Sequence, residues 1–404
     1  MATIALIWEL GADLGHLGHF LPMARAFKAR GHTPVLVLRD ISRVETLFAG
    51  EGVEYLQAPL WLPPIQGLPP DLNFTETLFR FGFLDPGGLT SLLRAWQSLL
   101  GRLAPDLLLF DHAPTALLAT HGSGLPRVLT GNSFSIPPAT RPLPRYRYWA
   151  QDEREGGRLE ETERRVVRHA NIALEAIGAA SIRQVSDLYA CDAAFIASHP
   201  LVDAHGPRSD ADYLGPIGNE MKGSIPAWPL GAGKRVFAYL KPQYGMTEPM
   251  LAAVLQARTP ALIYAPGIST DAIRRLASPL VEFSDVPFRM DRIAAEADVG
   301  ICHAGGTATS LLLAGKPVLL LPTQMEQTMV SRRIADQGAG LYLPIDAKPG
   351  ALRKMLGRLL DEGSFTEAAQ RIANSEPQEA QADVIARLVN RCEELLQARA
   401  SGAT

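Results

Sequence analysis

The sequence Val299-Gly-Ile-Cys-His303-Ala-Gly-Gly-Thr307 is a short apolar run followed by a glycine-rich turn, and a longer apolar segment, 307–313, comes next. An uncharged run of this length is typical of a strand that helices cover on both faces of its sheet. The longer segment is typical of a helix. Glycines at such a turn let a ligand approach backbone N–H groups closely. The stretch therefore predicts a strand, a turn suited to phosphate and a helix.

The same alternation of apolar runs and amphipathic segments fills most of the chain. The predicted strands are 4–8, 34–38, 53–56, 107–110 and 127–129 in a first half, and 235–240, 261–264, 280–283, 299–302 and 317–321 in a second. This alternation predicts an α/β protein with two open, mostly parallel sheets. The predicted divisions are a first α/β domain (1–200), a linker rich in Pro and Gly (201–233), a second α/β domain (234–377) and a C-terminal helix (378–404) that packs back on the first domain.

Composition limits the class of protein. A chain of 404 residues has room for two domains, and 47% hydrophobic with 20% charged residues is typical of a globular protein and not of a disordered one. The 39 basic and 42 acidic residues give no cationic field for nucleic acid. Three separated cysteines form no zinc or disulfide pattern, which favours the cytoplasm. We see no signal peptide and no apolar run of about 18 residues for a membrane span; peripheral membrane contact stays open.

A possible acid–base pair follows two strands of the first half. His16 lies in the glycine-rich turn after strand 4–8, and Asp111 directly follows strand 107–110. The carboxyl ends of parallel strands meet at one edge of a sheet, where such folds bind ligands. A histidine there can take a proton near neutral pH, and a carboxylate can orient it. The alternatives are that His16 only bonds the turn and that Asp111 only caps the helix near Pro114. Asp106, at the far edge, is the weaker partner.

Other motifs suggest rival chemistries. The first turn and Asp40 imitate a dinucleotide fingerprint, but the spacing G-x3-G-x2-G departs from it, which leaves a dehydrogenase as a minor alternative. The second turn lacks the lysine of a P-loop, which argues against ATP hydrolysis. Asp210-Ala-Asp212 is a D-x-D metal signature of a different transferase architecture, but it lies in the predicted linker, so no metal is expected.

Taken together, these features resemble the family 1 type of nucleotide-sugar-dependent glycosyltransferases, which include macrolide, plant natural-product and glucuronosyl transferases. The motifs that carry the resemblance are Gly15-His16, Ala24, Arg30-Gly31-His32, Leu214-Gly215-Pro216-Ile217, His303 to Thr307, Gly315-Lys316-Pro317, Pro322, Glu326-Gln327 and Gly338-Ala339-Gly340. The resemblance implies the GT-B architecture, in which the parallel sheets of two Rossmann-like domains face a central cleft. The first domain would bind the acceptor and the second the nucleotide sugar.

The resemblance also assigns roles to residues. It makes His16, rather than His19, the catalytic base and Asp111 its partner. The donor residues would be His303, Gly305, Gly306 and Thr307 around the diphosphate and Glu326 and Gln327 on the sugar hydroxyls. Candidates for contact with the base and ribose are Phe283, Val286 and Ser310. The phosphate turn is one residue shorter than usual, Ser310 replaces a ribose-binding Glu, and Asp285 replaces a stacking Trp of plant members, so the base stays open.

The acceptor is suggested only by composition. Residues 60–88 are rich in Trp and Phe, and Trp61, Phe74 and Phe83 are candidates for an apolar acceptor pocket. The same aromatics equally suit simple packing of a long loop. The Arg-rich stretch 141–168 suits an anionic acceptor or a membrane surface, or merely a solvated face.

The expected activity is metal-independent, inverting hexosyl transfer in natural-product glycosylation. The sugar would move from a UDP- or dTDP-linked donor to a hydroxyl of a small-molecule or lipid acceptor, with the nucleotide sugar as co-substrate and no cofactor. The alternatives are a nucleotide-sugar epimerase of the same fold, which needs no acceptor, and a non-catalytic partner protein with a degenerate donor site.

Overall fold

A computed structural model describes residues 1–11, 15–150, 152, 154–209, 211–217, 223–344, 347–375 and 379–402. The chain divides into two compact units. The first comprises Met1–Ala197, Ser209–Ile217 and Ala380–Thr404, and the second comprises Ser198–Arg208 and Gly218–Glu379. Residues of the predicted linker therefore belong to both units.

The first unit is built on a parallel sheet. Its strands, among the residues described, are β1 (Thr3–Trp8), β2 (Thr33–Leu38), β3 (Glu54–Gln57), β4 (Leu107–Asp111), β5 (Arg127–Gly131), β6 (Ala193–Ile196) and β7 (Asp212–Tyr213). The strand order is β3-β2-β1-β4-β5-β6-β7. The middle strands are buried almost throughout, which explains why their sequences are continuously apolar.

The helices of the first unit begin at recognisable signals. They are α1 (Gly15–Ala29), α2 (Val44–Leu47), α3 (Phe74–Leu78), α4 (Pro86–Leu103), α5 (Pro114–Ala119) and α6 (Arg154–Ala176). The side chain of Asp85 accepts hydrogen bonds from the N–H groups of Gly87 and Gly88 and so caps α4, with Pro86 at the first helical position. Asn73 caps α3 in the same way. The predicted long loop at 60–88 thus contains short helical turns.

The second unit repeats the plan. Its described strands are β8 (Val236–Tyr239), β9 (Ala261–Tyr264), β10 (Val281–Ser284), β11 (Val299–Cys302), β12 (Val318–Leu320) and β13 (Gly340–Tyr342), in the order β10-β9-β8-β11-β12-β13. Its helices are α7 (Thr247–Ala257), α8 (Thr270–Arg275), α9 (Met290–Glu296), α10 (Gly306–Leu313), α11 (Met325–Asp336), α12 (Gly350–Asp361) and α13 (Gly363–Ala373). The prediction of two parallel α/β halves is confirmed.

The last helix, α14 (Gln381–Ala400), belongs to the first unit. Its apolar face, which includes Leu388 and Cys392, is buried in the core that also contains residues of α1 and β1. At the rim of this contact, Arg30 pairs with Glu393 at 2.6 Å. No helix of the described ranges is both long and apolar enough to cross a membrane.

Both sheets reverse their strand order at one point. In the first sheet β1 lies between β2 and β4, and in the second β8 lies between β9 and β11. The connections on the two sides of such a point run in opposite directions, which opens a crevice at the carboxyl ends of the strands, where open α/β sheets bind ligands. Ligand-binding and catalytic residues are therefore expected in the loops after β1, β4, β8 and β11.

Candidate active site

The first of these crevices brings His16 and Asp111 together. His16 is the second residue of α1, and Asp111 ends β4, where it lies opposite Trp8 of β1. The distance from His16 Nδ1 to Asp111 Oδ2 is 2.7 Å, and the carboxylate is fully buried. The indole of Trp8 stacks on the imidazole with ring centroids 5.1 Å apart. Hydrogen bond and stacking together fix the orientation of the imidazole.

Asp111 is held in its charged form. Burial opposes ionisation of the carboxyl, but the charge and hydrogen bond of His16, with a smaller contribution from His19, hold the pKa of Asp111 well below its usual range. His19 Nδ1 is 3.9 Å from the same oxygen, so it is the more distant partner. An ionised Asp111 accepts the Nδ1 proton of His16. This leaves the lone pair of His16 on the outer nitrogen, Nε2.

Two glycines leave room for this pair. Gly131 ends β5 with φ +130°, and a Cβ atom there would overlap Asp111 Oδ1. Gly11 has φ +98°, and a Cβ atom there would overlap His16 Nε2. Positive φ angles of this size disfavour any other residue on their own account. The backbone therefore gives space to the buried carboxylate and leaves Nε2 uncovered by a side chain at position 11.

An aromatic group adjoins His16. The ring of His112 lies 6.1 Å from the His16 ring and 5.5 Å from that of Phe74. The ring of Phe134 lies 6.1 Å from Phe74 and 5.0 Å from Tyr146. Burial, followed by the neighbouring charge of His16, lowers the pKa of His112 to about 3, so this imidazole is neutral. We call Phe74, His112, Phe134 and Tyr146 the aromatic group. Of these four residues, Phe74 is a predicted acceptor residue and Tyr146 lies in the Arg-rich stretch 141–168, while His112, which directly follows Asp111, was not predicted.

The other two predicted acceptor residues lie elsewhere. Phe83 is fully buried, and its carbonyl oxygen accepts a hydrogen bond from the His169 ring at 2.8 Å, so its side chain packs the core. Trp61 lies against Gly82 and Gly88, where any Cβ atom would overlap its ring. Phe74 is also buried (1% exposed), but its ring contacts those of His112 and Phe134, so it is the predicted acceptor residue that lies in the surroundings of His16.

Glu9, which directly follows β1, fixes the start of α5 near the same crevice. Its carboxylate accepts hydrogen bonds from the Thr115 N–H (2.9 Å), the Thr115 hydroxyl (2.7 Å) and the Ala116 N–H (3.3 Å), and so caps α5, which follows Asp111. Burial outweighs these bonds and raises the pKa of Glu9 from 4.5 to about 7.

We therefore expect Glu9 to make stability depend on pH. Between pH 4.5 and about 7 the native protein binds more protons at Glu9 than the unfolded chain does, so the free energy of unfolding falls as the pH rises. The fall amounts to up to about 3 kcal/mol at 1.36 kcal/mol per pKa unit. Urea unfolding at pH 5 and pH 8 measures it. Glu9→Gln should flatten the dependence, whereas Glu54→Gln, at an exposed carboxyl of β3, should not; equal slopes in both variants would refute this assignment.

The second crevice contains the glycine-rich turn. After β11, Ala304 (φ +73°) and Gly305 (φ +75°) turn the chain into α10, which starts at Gly306. Gly305 and Gly306 are exposed and Thr307 is half-buried. Free N–H groups at a helix start, with the positive end of its dipole, suit an anion.

His303, which precedes this turn, is bonded on both sides. Its Nδ1 lies 2.7 Å from the Leu321 carbonyl oxygen, and its Nε2 accepts a hydrogen bond from the Lys241 N–H at 2.9 Å. The side chain is only 2% exposed. Lys241 was not predicted to contact His303, because the sequence around Lys241 gives no indication of a bond to the residue that follows β11.

The predicted sugar-binding residues begin α11. Gln327 Oε1 accepts hydrogen bonds from the Thr323 N–H (2.8 Å) and hydroxyl (3.0 Å), and Gln324 Nε2 donates to Glu326 Oε2 at 3.2 Å. Glu326 and Gln327 are half-buried. Their side chains are thus ordered by neighbours at the carboxyl end of β12.

The three candidates for base and ribose contact differ in exposure. Phe283, in β10, is half-buried against the core of the second unit, and Ser310 is half-buried on α10. Val286, in the loop after β10, is 51% exposed. Nearby Phe288 is buried, with its ring edge-on to that of Phe237 at 6.3 Å. Val286 is therefore the most accessible of the three candidates.

Among the residues described, no cluster of three or more His, Cys, Asp or Glu side chains is placed to hold a metal ion. Of the D-x-D pair, Asp210 lies outside the described residues, and Asp212 forms an ion pair with Arg387 of α14.

Two units, each with a parallel sheet that reverses its strand order, match the GT-B fold of solved glycosyltransferase structures. Residues 281–395 match the family model of the erythromycin biosynthesis protein CIII-like C-terminal domain. The elloramycin glycosyltransferase of Streptomyces olivaceus is 26% identical over 398 residues, which are 93% of this chain and 94% of that protein.

Solved structures share the fold over nearly the whole chain. The glycotransferase of kitacinnamycin has a TM-score of 0.70 at 19% identity, covering 96% of this chain and 99% of that one. Glycosyltransferase VinC, in complex with dTDP, has a TM-score of 0.65 at 18% identity, covering 96% and 100%. The chain thus has the GT-B fold that these solved glycosyltransferase structures share.

Proposed function

We propose that this chain moves a sugar from a nucleoside diphosphate sugar to a hydroxyl group of an apolar small molecule, with inversion at the anomeric carbon. The observation that carries the proposal is the bonded pair of His16 and Asp111 at the first crevice. A histidine whose Nδ1 is oriented by a carboxylate can take the proton of an acceptor hydroxyl on its other nitrogen.

The reaction we propose is one displacement. His16 Nε2 takes the proton of the acceptor hydroxyl while its oxygen forms a bond to the anomeric carbon of the donor. The bond from that carbon to the diphosphate oxygen breaks, and the nucleoside diphosphate leaves with the electron pair. Attack opposite the leaving group inverts the configuration. The negative charge of Asp111 stabilises the imidazolium that forms.

The donor in this proposal is bound at the second crevice. The N–H groups of Gly306 and Thr307 would bind the diphosphate, and Glu326 and Gln327 would bind the sugar hydroxyls. These amides stabilise the charge of the leaving diphosphate without requiring a metal ion. The complex of the similar VinC with dTDP supports a thymidine nucleotide as the first donor to test.

We infer an apolar, ring-containing acceptor from the aromatic group. Phe74 and Phe134 next to a neutral His112 form an environment with little charge beside the base. Flat apolar rings gain dispersion and stacking energy in such surroundings. The free state of Cys191, Cys302 and Cys392 supports the cytoplasm as the place of action.

An assay of sugar transfer tests the proposal. We expect the purified protein, given a dTDP- or UDP-hexose and a panel of hydroxylated polycyclic acceptors, to release nucleoside diphosphate and form a glycoside. Mass spectrometry detects the product, and the anomeric coupling constant by NMR reports inversion. Retention of configuration would refute the single displacement, an epimerised donor in the absence of acceptor would favour the epimerase, and no nucleotide binding at all would favour a non-catalytic partner.

A further inference from the structure

A buried carboxylate joins helix α3 to helix α6. Arg158 of α6 donates to both oxygens of Glu76 of α3, from Nε to Oε1 at 2.7 Å and from Nη2 to Oε2 at 2.5 Å. The Glu76 side chain is 3% exposed, and the Leu72 N–H (2.9 Å) and the Thr162 hydroxyl (3.3 Å) also donate to it. A planar guanidinium that binds both oxygens of a carboxylate sets the relative orientation of the two groups. The pair therefore fixes α3 against α6.

A second buried carboxylate bonds the neighbouring residue of α3. Glu163 of α6 is 2% exposed and accepts hydrogen bonds from the Thr75 hydroxyl at 3.3 Å and from the Val185 N–H at 2.7 Å. Thr75 and Glu76 directly follow Phe74 in the chain. Helix α6 therefore holds the two residues that come after Phe74, a member of the aromatic group.

The segment before α6 is bonded to the same part of the chain. Asn73 Nδ2 donates to the Leu143 carbonyl oxygen at 2.9 Å, and the hydroxyl oxygens of Thr77 and Tyr146 lie 2.7 Å apart. This segment and α6 up to residue 168 form the Arg-rich stretch 141–168. The stretch therefore bonds the chain on both sides of the aromatic residue with which α3 begins.

Phe74 and Tyr146 are the covered members of the aromatic group. They are 1% and 2% exposed, whereas His112 and Phe134 are half-buried. The ring of Phe74 contacts those of His112 and Phe134, and the ring of Tyr146 stacks on that of Phe134. The positions of the two accessible rings therefore depend on the two covered residues that the Arg-rich stretch fixes.

Other arginines of this stretch also have partners within the first unit. Arg145 pairs with Glu155 at 3.0 Å. The guanidinium of Arg165 lies over the ring of Phe79, which follows α3, at 5.6 Å from the ring centroid. Charges that are paired or stacked in this way are less available to an anionic ligand.

We propose that Arg158 and Glu76 are positioning residues for the acceptor, because their buried pair holds α3, and with it the aromatic group, in the arrangement that binds an acceptor beside His16. The desolvation of a buried ion pair offsets most of its attraction, so such a pair chiefly defines a geometry. The inference rests on the proposed function, since it concerns the acceptor of the same reaction. It gives the Arg-rich stretch a role other than contact with an anionic acceptor or a membrane surface.

Steady-state kinetics of the double variant Glu76→Gln/Arg158→Met test this role, with the panel acceptor that the wild-type protein glycosylates fastest. The two changes remove both charges at nearly constant volume, so the thermal unfolding temperature should stay within a few degrees of wild type. We expect the KM for acceptor to rise about 5- to 20-fold, because the aromatic group is no longer held in its binding arrangement. The kcat should stay within about threefold and the KM for donor within about twofold, since His16 is oriented separately by Asp111 and Trp8.

Two single variants complete the test. Arg158→Lys keeps a positive charge for the buried carboxylate but loses the bidentate geometry, so its KM for acceptor should lie between those of wild type and the double variant. Arg164→Met is the matched control on the same helix, because Arg164 pairs with Glu161 where the two side chains are 64% and 63% exposed. Its KM for acceptor should stay within about twofold of wild type.

Each outcome separates the two proposals. A folded double variant with the wild-type KM for acceptor, or an equal rise of this KM in Arg164→Met, would overturn the inference and leave the transferase proposal standing. If the double variant does not fold, Arg158→Lys decides, and a KM for acceptor within about twofold of wild type would overturn the inference in the same way. A wild-type protein that transfers sugar to no member of the acceptor panel would refute the proposed function, and the inference with it.

Discussion

Replacing His16 by alanine is expected to lower kcat by about 10²- to 10⁴-fold, the usual contribution of a general base. The variant loses the Nε2 atom that accepts the proton, while the buried Asp111 and the second unit stay in place. Initial rates of nucleoside diphosphate release at saturating donor and acceptor measure the effect. Donor affinity should hardly change, since the residues proposed to bind the diphosphate lie in the second unit.

His19→Ala is the comparison that makes the His16 result specific. His19 is three residues further along α1, and its Nδ1 is 3.9 Å from Asp111 Oδ2, against 2.7 Å for His16. We expect at most about a tenfold loss of kcat from this variant, through weaker support of Asp111. A larger loss from His19→Ala than from His16→Ala would transfer the base assignment to His19.

Asp111→Asn is expected to reduce kcat by a comparable 10²- to 10⁴-fold, with little change in volume. The amide cannot offer a negative charge to the imidazolium that forms on His16. Where its NH₂ group faces Nδ1, it also forces that nitrogen to accept, which moves the proton of the neutral ring to Nε2 and disables the base. The expected result is a fall in kcat with unchanged affinity for donor.

Asp106→Asn controls for the cost of altering a carboxylate at an end of β4. Asp106 precedes the strand at its other end, where its Oδ2 accepts a hydrogen bond from the Thr3 N–H at 2.8 Å. This variant should lose some stability in thermal unfolding but retain kcat within a few fold. Wild-type turnover by Asp111→Asn, or equal losses from both variants, would contradict the partnership with His16.

The sequence allowed the fold and the His16–Asp111 pair to be predicted because both depend on local patterns. Continuous apolar runs mark strands buried on both faces, and side chains just after such strands must meet at one edge. The strands β6, β7 and β13 escaped prediction, since they are four, two and three residues long and carry little apolar signal. Helix α6 was not predicted, because its many arginines obscure the apolar face of what is an amphipathic helix.

Several other contacts between distant segments could not be foreseen from the sequence. The aromatic group combines residues from α3, the loop after β4 and the loops after β5, and periodicity within any of these segments does not reveal the others. The bond between Lys241 and His303 joins a main-chain N–H to a side chain across two strands, so it depends on strand order. The burial of Phe83, a residue predicted to lie in a pocket, is likewise decided by packing.

The place of α14 in the first unit has a consequence for how the chain is made. A ribosome completes α1 and β1 before any of the second unit, yet Leu388 and Cys392, which cover them, are synthesised only after it. The nascent first unit therefore waits with an open apolar face while the second unit, made mostly of one continuous stretch, can already fold. Folding of the first unit can therefore be completed only after α14 has been synthesised.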